Sequence, residues 1–288
     1  MCLKFSNAKI YNHFNHDLTM KISKIVLVGL LIAIIVGTAI YYSLARQNGT
    51  ISQASLIGKP IPSTLYNQLV QLSNQGYNIT VTETDFRVLP ENFSDNGKPA
   101  VIYVGAEWCP FCGAERWALI IVLSRFGNFS NISYMMSSST DVYPNTPTFS
   151  FAYSSYTSKY ITFIPIEYQN REGEPLNKVP TPVYNVWKEY DNLSIPFIIV
   201  AYYYQTGTTI DPGLLSGHNW TYVINELHNP NSTIYKEIYA QANMITQMIC
   251  QVDGNQPMTV CSHFEQTNNQ TNSPLTMVNV QRISYSSP

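Results

Sequence analysis

Two cysteines three residues apart, Cys109 and Cys112, stand in the stretch Glu107-Trp108-Cys109-Pro110-Phe111-Cys112 and have the types and spacing to do chemistry. The thiolate is the nucleophile of thiol–disulfide exchange, and it forms near neutral pH only in a favourable electrostatic setting. The flanking sequence supplies one. Ala100 to Gly105 is a run of small and apolar residues that reads as a buried strand. Gly113 to Phe126 carries Ala114, Trp117, Ala118, Ile121 and Val122 at helical spacing, which predicts a helix with one core-facing stripe. Pro110 suits the first turn of that helix, where its missing N–H costs nothing. Cys109 therefore sits where a strand ends and a helix begins, and the unpaired N–H groups and dipole there stabilise an anion. Cys109 is the expected nucleophile. Cys112, one turn in, is the expected resolving thiol that attacks a mixed disulfide on Cys109.

Three other uses of the pair compete: half of a zinc site, a static disulfide, or a reduced core pair. A zinc site needs a second ligand pair at close spacing, whereas Cys250 and Cys261 are separated by ten residues. Those two bracket a loop with Gly254 and Pro257 and are expected to form a structural disulfide that pins it. Closing a loop of this size contributes on the order of 2–3 kcal/mol through the unfolded state. The alternative is a second redox pair exchanging with Cys109 and Cys112, but Cys250 and Cys261 lack the helix-N-terminal setting that activates a thiol. Cys2 reads as a bystander, and His13 and His16 as part of a solvated tail. No metal and no cofactor is expected.

The elements that must position the dithiol follow a segment of another kind. Ile25 to Ala45 is 21 residues without a charge, close to the ~20 needed to cross about 30 Å of hydrocarbon. A cleaved signal peptide is the alternative, with Ser43-Leu44-Ala45 as a passable site, but the apolar run is longer than a signal core. Lys4, Lys9, Lys21 and Lys24 precede the run, which places the N-terminus inside and the rest outside. Met20 would make a normal start for such a protein, so residues 1–19 are suspected to be an over-long start. Nine Asn-x-Ser/Thr sites, at Asn48, Asn78, Asn92, Asn128, Asn131, Asn192, Asn219, Asn231 and Asn269, lie on the external side. The four cysteines there form an even set, as expected where disulfides persist.

Charged residues are 12% of the chain and aromatics 13%, with 21 tyrosines, so Asn, Gln, Ser, Thr and Tyr must cover much of the surface. Residues 1–24 carry four lysines and one aspartate, and the remainder twelve basic against seventeen acidic groups. Without a basic stripe in the large part, nucleic acid is not an expected partner.

The chain divides into a cytoplasmic tail (1–24), a transmembrane helix (25–45), a linker (46–61), an external domain (62–264) and a polar C-terminal tail (265–288). Helices are expected at Pro62–Gly76, Trp220–Leu227 and Ser232–Cys250. Ile132–Met136 reads as a second core strand, and Thr157–Glu167 alternates like a strand. Residues 138–190 hold three clusters of turn residues and are too long for a simple connection, so they read as an insertion over the core. An apolar strand from Phe197 to Tyr204, a turn at Gln205-Thr206-Gly207 and a strand at Thr208–Ile210 read as a hairpin.

Val101 to Cys112 (VIYVGAEWCPFC) resembles the active-site strand and turn of thioredoxins. That resemblance implies an α/β thioredoxin-like fold, a central mixed sheet flanked by helices. It also implies a cis proline facing the cysteines, whose neighbouring backbone pairs with the substrate chain. Of Pro147, Pro180 and Pro196, the last fits the order of elements, so Ile195 and Pro196 are the expected substrate-presenting pair, with Trp108 and Phe111 shaping an apolar docking surface. Thioredoxins carry a buried Asp six residues before the first cysteine, and Tyr103 stands there. Either Glu107 then substitutes as the proton relay or resolution runs through water, with Glu107 an ordinary exposed acid beside the site. At finer grain GAEWCPFCGAERWAL, TPTFSFAYSSYTSKYITFIPIE, SIPF and the closing Cys250 to Cys261 resemble an archaeal membrane-anchored family of the Sulfolobales labelled domain of unknown function 929, over roughly residues 57–264.

The expected function is a membrane-anchored, external thiol–disulfide oxidoreductase acting on cysteine-containing secreted or surface proteins. Oxidase or isomerase is favoured over reductase, with an unidentified membrane redox partner. The alternative is a non-catalytic surface binding module in which the Cys109–Cys112 disulfide only staples the fold.

Overall fold

The computed structural model describes residues 26–42, 53–81, 85–264 and 281–285. They belong to two units, 1–55 and 56–288, each taken by itself. In the first, residues 26–42 form helix α1, whose residues are all exposed, among them Leu27, Leu31, Ile35 and Val36. Among the described residues no helix is long and apolar enough to cross a membrane. The expected span also includes residue 25 and residues 43–45, which lie outside the described residues, as do Cys2, His13, His16 and the rest of 1–24.

The second unit runs α2 (Ser63–Ser73), β1 (Arg87–Val88), β2 (Glu91–Asp95), β3 (Lys98–Ala106), α3 (Pro110–Phe126), β4 (Gly127–Ser130), β5 (Ser133–Met136), β6 (Pro147–Ser150) and β7 (Ser155–Ser158). It continues with β8 (Thr162–Gln169), α4 (Thr181–Asp191), β9 (Phe197–Val200), β10 (Tyr203–Thr206), α5 (Trp220–Glu226), α6 (Thr233–Val252), α7 (Met258–Cys261) and β11 (Gln281–Tyr285).

A mixed sheet forms the centre. β3 pairs in parallel with β8 and antiparallel with β9, β10 pairs with β9, and β1 closes that edge. Residues of β3 alternate between two cores. Val101 and Tyr103 join a large cluster with residues of α2, α3 and α6, while Ala100, Ile102 and Val104 pack with Val183, Val186 and Trp187 of α4. A strand covered on both faces reads as an unbroken apolar run, which is how Ala100–Gly105 reads in the sequence. β2 and β3 form a hairpin through Asn96 and Gly97 at φ 49° and 78°, the left-handed pair that an Asn-Gly two-residue loop needs.

Helix α3 is enclosed rather than one-sided. Every residue except Phe111 and Ser124 is buried, because α2, α6 and β6 all pack on it. The expected single stripe is thus replaced by burial around the helix.

Residues 138–190 divide differently from the reading of one insertion. The extra strands begin earlier, at β4, and end at β7, forming the separate pairs β4–β7 and β5–β6. β8 and α4, inside 138–190, are the parallel partner of β3 and the cover of the second core. The turn cluster at Tyr143–Pro147 leads into β6 and the one at Gly173–Pro175 follows β8, which stays in the sheet. The 132–136 strand, expected as a second core strand, is β5, and among the described residues it pairs with β6 and bridges to Pro60 rather than joining the large sheet. The hairpin after Pro196 also turns earlier than expected, at Ala201 (φ 55°) and Tyr202, inside the apolar run Phe197–Tyr204. Tyr203–Thr206 is its return strand, and Gly207 closes the open end by donating N–H to the Pro196 carbonyl at 2.8 Å. In the C-terminal tail, β11 pairs in parallel with β2, whereas 265–280 lie outside the described residues.

Candidate active site

Cys109 is the N-cap of α3, with extended backbone (φ −77°, ψ 124°), and Pro110 is the first helical residue. The Cys109 Sγ accepts the N–H of Cys112 at 3.4 Å, so an otherwise orphaned donor of the first turn serves the sulfur. The Cys109 N–H reaches back to the Ala106 carbonyl at 3.2 Å, and its own carbonyl accepts from Gly113 at 2.9 Å. Both cysteines are free thiols, Cys109 4% exposed and Cys112 fully buried.

The two thiols are driven apart. The Cys109 pKa is lowered, first by the hydrogen bond from the Cys112 side chain and then by backbone donors and the Arg116 charge, against the opposing effect of burial. Cys112 is pushed well above an ordinary thiol, first by burial and then by its neighbour Cys109, with Arg116 opposing. One sulfur is suited to be the thiolate and the other to hold the proton.

Trp108 is half-buried, and its Nε1 donates to Gln169 Oε1 at 2.9 Å while its carbonyl accepts from Ser138 at 2.8 Å. Trp108, Ser138, Asp141, Gln169, Arg171 and Glu172 help line a cleft of about 320 Å³. Phe111 is 40% exposed and meets the edge of Tyr143, ring centroids 5.8 Å apart. The loop between β5 and β6 therefore flanks both aromatic residues of the turn. Ile195 is half-buried and Pro196 buried. Their peptide bond is cis. Phe197 pairs with Val104, so Pro196 precedes β9 at the end of the sheet from which β3 leaves for Cys109.

Glu107 is not an exposed acid. It is buried, 6% exposed, with Oε1 accepting from the Ser150 hydroxyl at 2.5 Å and Oε2 from the Arg171 N–H at 3.2 Å. Burial raises its pKa, and the Ser150 hydrogen bond opposes this. Tyr103 is fully buried, its hydroxyl without a hydrogen-bond partner among the described residues. Cys250 and Cys261 form a disulfide with Cα atoms 5.6 Å apart, joining the end of α6 to α7.

Sequence reasoning passed over Glu115, Arg116 and Glu167, all fully buried. Arg116 forms an ion pair with Glu167 at 2.6 Å, and Glu115 accepts from Gln241 of α6 at 3.1 Å. A signal was present: two adjacent charges interrupt an apolar helix, and Arg116 lies four and seven residues beyond the cysteines, on their face.

Over 97 residues the chain is 31% identical to Thiol:disulfide interchange protein DsbE of Escherichia coli (strain K12), and equally to its namesakes in Escherichia coli O157:H7 and Shigella flexneri. The match covers 32% of this chain and 45% of each relative, so the chain spans less than half the length of the curated relatives it matches. No solved structure matches. The family described as Domain of unknown function (DUF929) matches residues 84–251. This range runs from the start of the mixed sheet to the end of α6, more than half the chain. The chain therefore belongs to the DUF929 family, within the thioredoxin-like superfamily.

Proposed function

We propose that Cys109 and Cys112 are the exchange centre of a thiol–disulfide oxidoreductase. The observation that carries this is the asymmetry of the pair. Cys109 caps α3 and accepts the Cys112 N–H, while Cys112 is fully buried behind it. In the exchange the Cys109 thiolate attacks a substrate disulfide, forming a mixed disulfide and releasing one substrate thiolate. Cys112 then attacks the Cys109 sulfur, releases the second substrate sulfur and gives up its proton to a released thiolate. The reverse sequence inserts a disulfide into a substrate. Trp108, Phe111 and Ile195 form the rim against which the substrate chain lies, with Pro196 at the adjacent end of the sheet. Glu107, engaged by Ser150 and Arg171, is a candidate proton relay for Cys112.

For the physiological setting we propose an external one, which the apolar segment and charge pattern of the sequence support. The apolar segment 25–45 anchors the chain in a membrane, with the thioredoxin-like unit outside, acting on cysteine-containing secreted or surface proteins. Oxidation or isomerisation is favoured, because a reductase needs electrons passed across the membrane and Ile25–Ala45 has no redox side chain.

Trapping tests the reading. Cys112→Ser in the full chain should accumulate mixed disulfides through Cys109, and Cys109→Ser should accumulate none. The small exposure of Cys109, 4%, favours the second reading, a surface module stapled by this pair. A pair that stays oxidised below about −300 mV, with Cys109 alkylating only on unfolding, would establish that module instead.

A further inference from the structure

We propose that Arg116 is the positioning residue that holds a positive charge beneath the redox turn for both cysteines, and that Glu167 is the brace that fixes it there. The inference rests on the exchange reading of Cys109 and Cys112. Arg116 Nε and Nη2 grip the two Glu167 oxygens at 2.7 and 2.6 Å, and Nη2 also donates to the Ala106 carbonyl at 2.7 Å. That carbonyl is the one that accepts the Cys109 N–H. A single acceptor thus ties the guanidinium to the turn carrying the nucleophile. Glu167 reaches it from β8, where it pairs with Gly105 of β3, just before the turn. Phe151 N–H also approaches the Glu167 carboxylate, at 3.5 Å.

Two further observations separate this pair from an ordinary structural ion pair. Arg116 is fully buried, yet its Nη1 has no hydrogen-bond partner among the described residues. The charge also favours the thiolate form of Cys109 and of Cys112 alike. A buried ion pair is a poor device for stability, since desolvation offsets most of its attraction and apolar replacements are often neutral or better. Its value lies in the fixed field.

Exchange moves negative charge between the two sulfurs. In substrate reduction the Cys109 thiolate spends its electron pair on the first S–S bond, and one substrate thiolate leaves. Cys112 then loses its proton to a substrate thiolate and its sulfur attacks Cys109. The protein dithiol is oxidised by two electrons and the substrate disulfide reduced by two. In the opposite direction Cys112 and then Cys109 emerge as thiolates. A charge bonded to the turn between strand and helix serves both sulfurs without moving, and it stabilises the dithiol form relative to the disulfide.

The test uses the full chain and three variants: Arg116→Gln combined with Glu167→Gln, Arg116→Lys, and Glu167→Gln alone. Thiolate absorbance of the reduced protein reports ionisation of Cys109, and equilibration with a glutathione buffer reports the couple. The doubly neutral variant should ionise at higher pH. Its equilibrium should shift toward the disulfide by about tenfold, about 30 mV for a two-electron couple. Arg116→Lys should retain most of both properties. Glu167→Gln, which leaves the cation unbalanced, should ionise at lower pH, and it decides the matter if the double variant does not fold. Wild-type ionisation in the folded double variant would overturn the proposal. So would Arg116→Lys behaving like the neutral variant, or Glu167→Gln failing to ionise earlier. Ionisation is read without any substrate, so failure of the exchange reading appears separately, as a pair that does not equilibrate with glutathione.

Discussion

Replacing Glu115 with Gln should stabilise the protein strongly in mild alkali and slightly weaken it in mild acid. Glu115 lies on α3, fully buried. Its Oε1 accepts from Gln241, and its Oε2 has no partner among the described residues. Burial raises its pKa from 4.5 to about 8, opposed by the polar groups of Thr208 and Gln241 that face it. The folded protein therefore binds this proton more tightly than the unfolded chain does. Its stabilising effect is complete below about pH 4.5 and is lost as pH climbs toward 8. At about 1.4 kcal/mol per pH unit the loss is on the order of 5 kcal/mol, comparable with the whole stability of many domains. Gln keeps the acceptor for Gln241 and cannot ionise. Its amide donors meet the same unpartnered corner as Oε2, which costs about 1 kcal/mol. Urea unfolding of both proteins at several pH values between 4 and 9, at constant ionic strength, measures the difference. The variant should trail by about 1 kcal/mol in acid and lead by several kcal/mol above pH 8. Parallel pH profiles for the two proteins would refute the reasoning, because they would mean that Glu115 ionises normally.

Other outcomes follow from other parts of the structure. Replacing Cys250 and Cys261 by Ala should cost about 3 kcal/mol in denaturant unfolding, as expected for a loop of this length, and should leave ionisation of Cys109 unchanged. Gly76→Ala should be more damaging than a loop substitution usually is. Gly76 has φ +73°, and an added Cβ would run into the Tyr239 ring, so a loss of more than about 1 kcal/mol is expected in thermal melts. Arg125→Met should cost about 3 kcal/mol or more by the same measurement, since several buried acceptors left unpaired each cost about 1 kcal/mol or more. Its guanidinium serves the Ser73 and Gln75 carbonyls together with Asn243 and Thr246, and these acceptors would lose their donor.

The parts of the fold written in local patterns were the legible ones. The Ala100–Gly105 run, Pro110 at the helix start, and the apolar spacing of Ile234, Ile238, Ile245 and Ile249 all announce β3, α3 and α6 by themselves. Partnerships were not legible. The alternation in Thr157–Glu167 shows a strand, but nothing local says that its second half lies parallel to β3 while Ser155–Ser158 pairs with β4. The turn at Ala201-Tyr202 was hidden because it contains no Gly, Asn or Pro and interrupts a continuous apolar run. The Asn96-Gly97 turn carried a strong hairpin signal that a polar stretch obscured. α4 begins at Thr181-Pro182, inside a cluster that reads as a turn. At the site, the cysteines and the cis proline follow from motif and order. The Arg116–Glu167 pair joins residues 51 apart in sequence, and no spacing rule connects them.

The enclosure of α3 limits how the molecule can report its redox state. Phe129, Phe151, Tyr156 and Phe163 pack together, mostly edge to face, with ring centroids 5.0 to 5.9 Å apart in the same core as the helix, and α2 and α6 flank it. Dense packing of this kind resists small displacements, since a shift on any side opens a void or forces a clash. A helix walled in on every side is an anvil rather than a lever. On the exchange reading proposed above, making or breaking a bond between Cys109 and Cys112 would be expressed at the turn itself, in the exposure of Phe111 and the shape of the cleft beside Trp108. A partner that distinguishes the oxidised from the reduced protein would have to read that small patch of surface, not a change of shape transmitted to the far side.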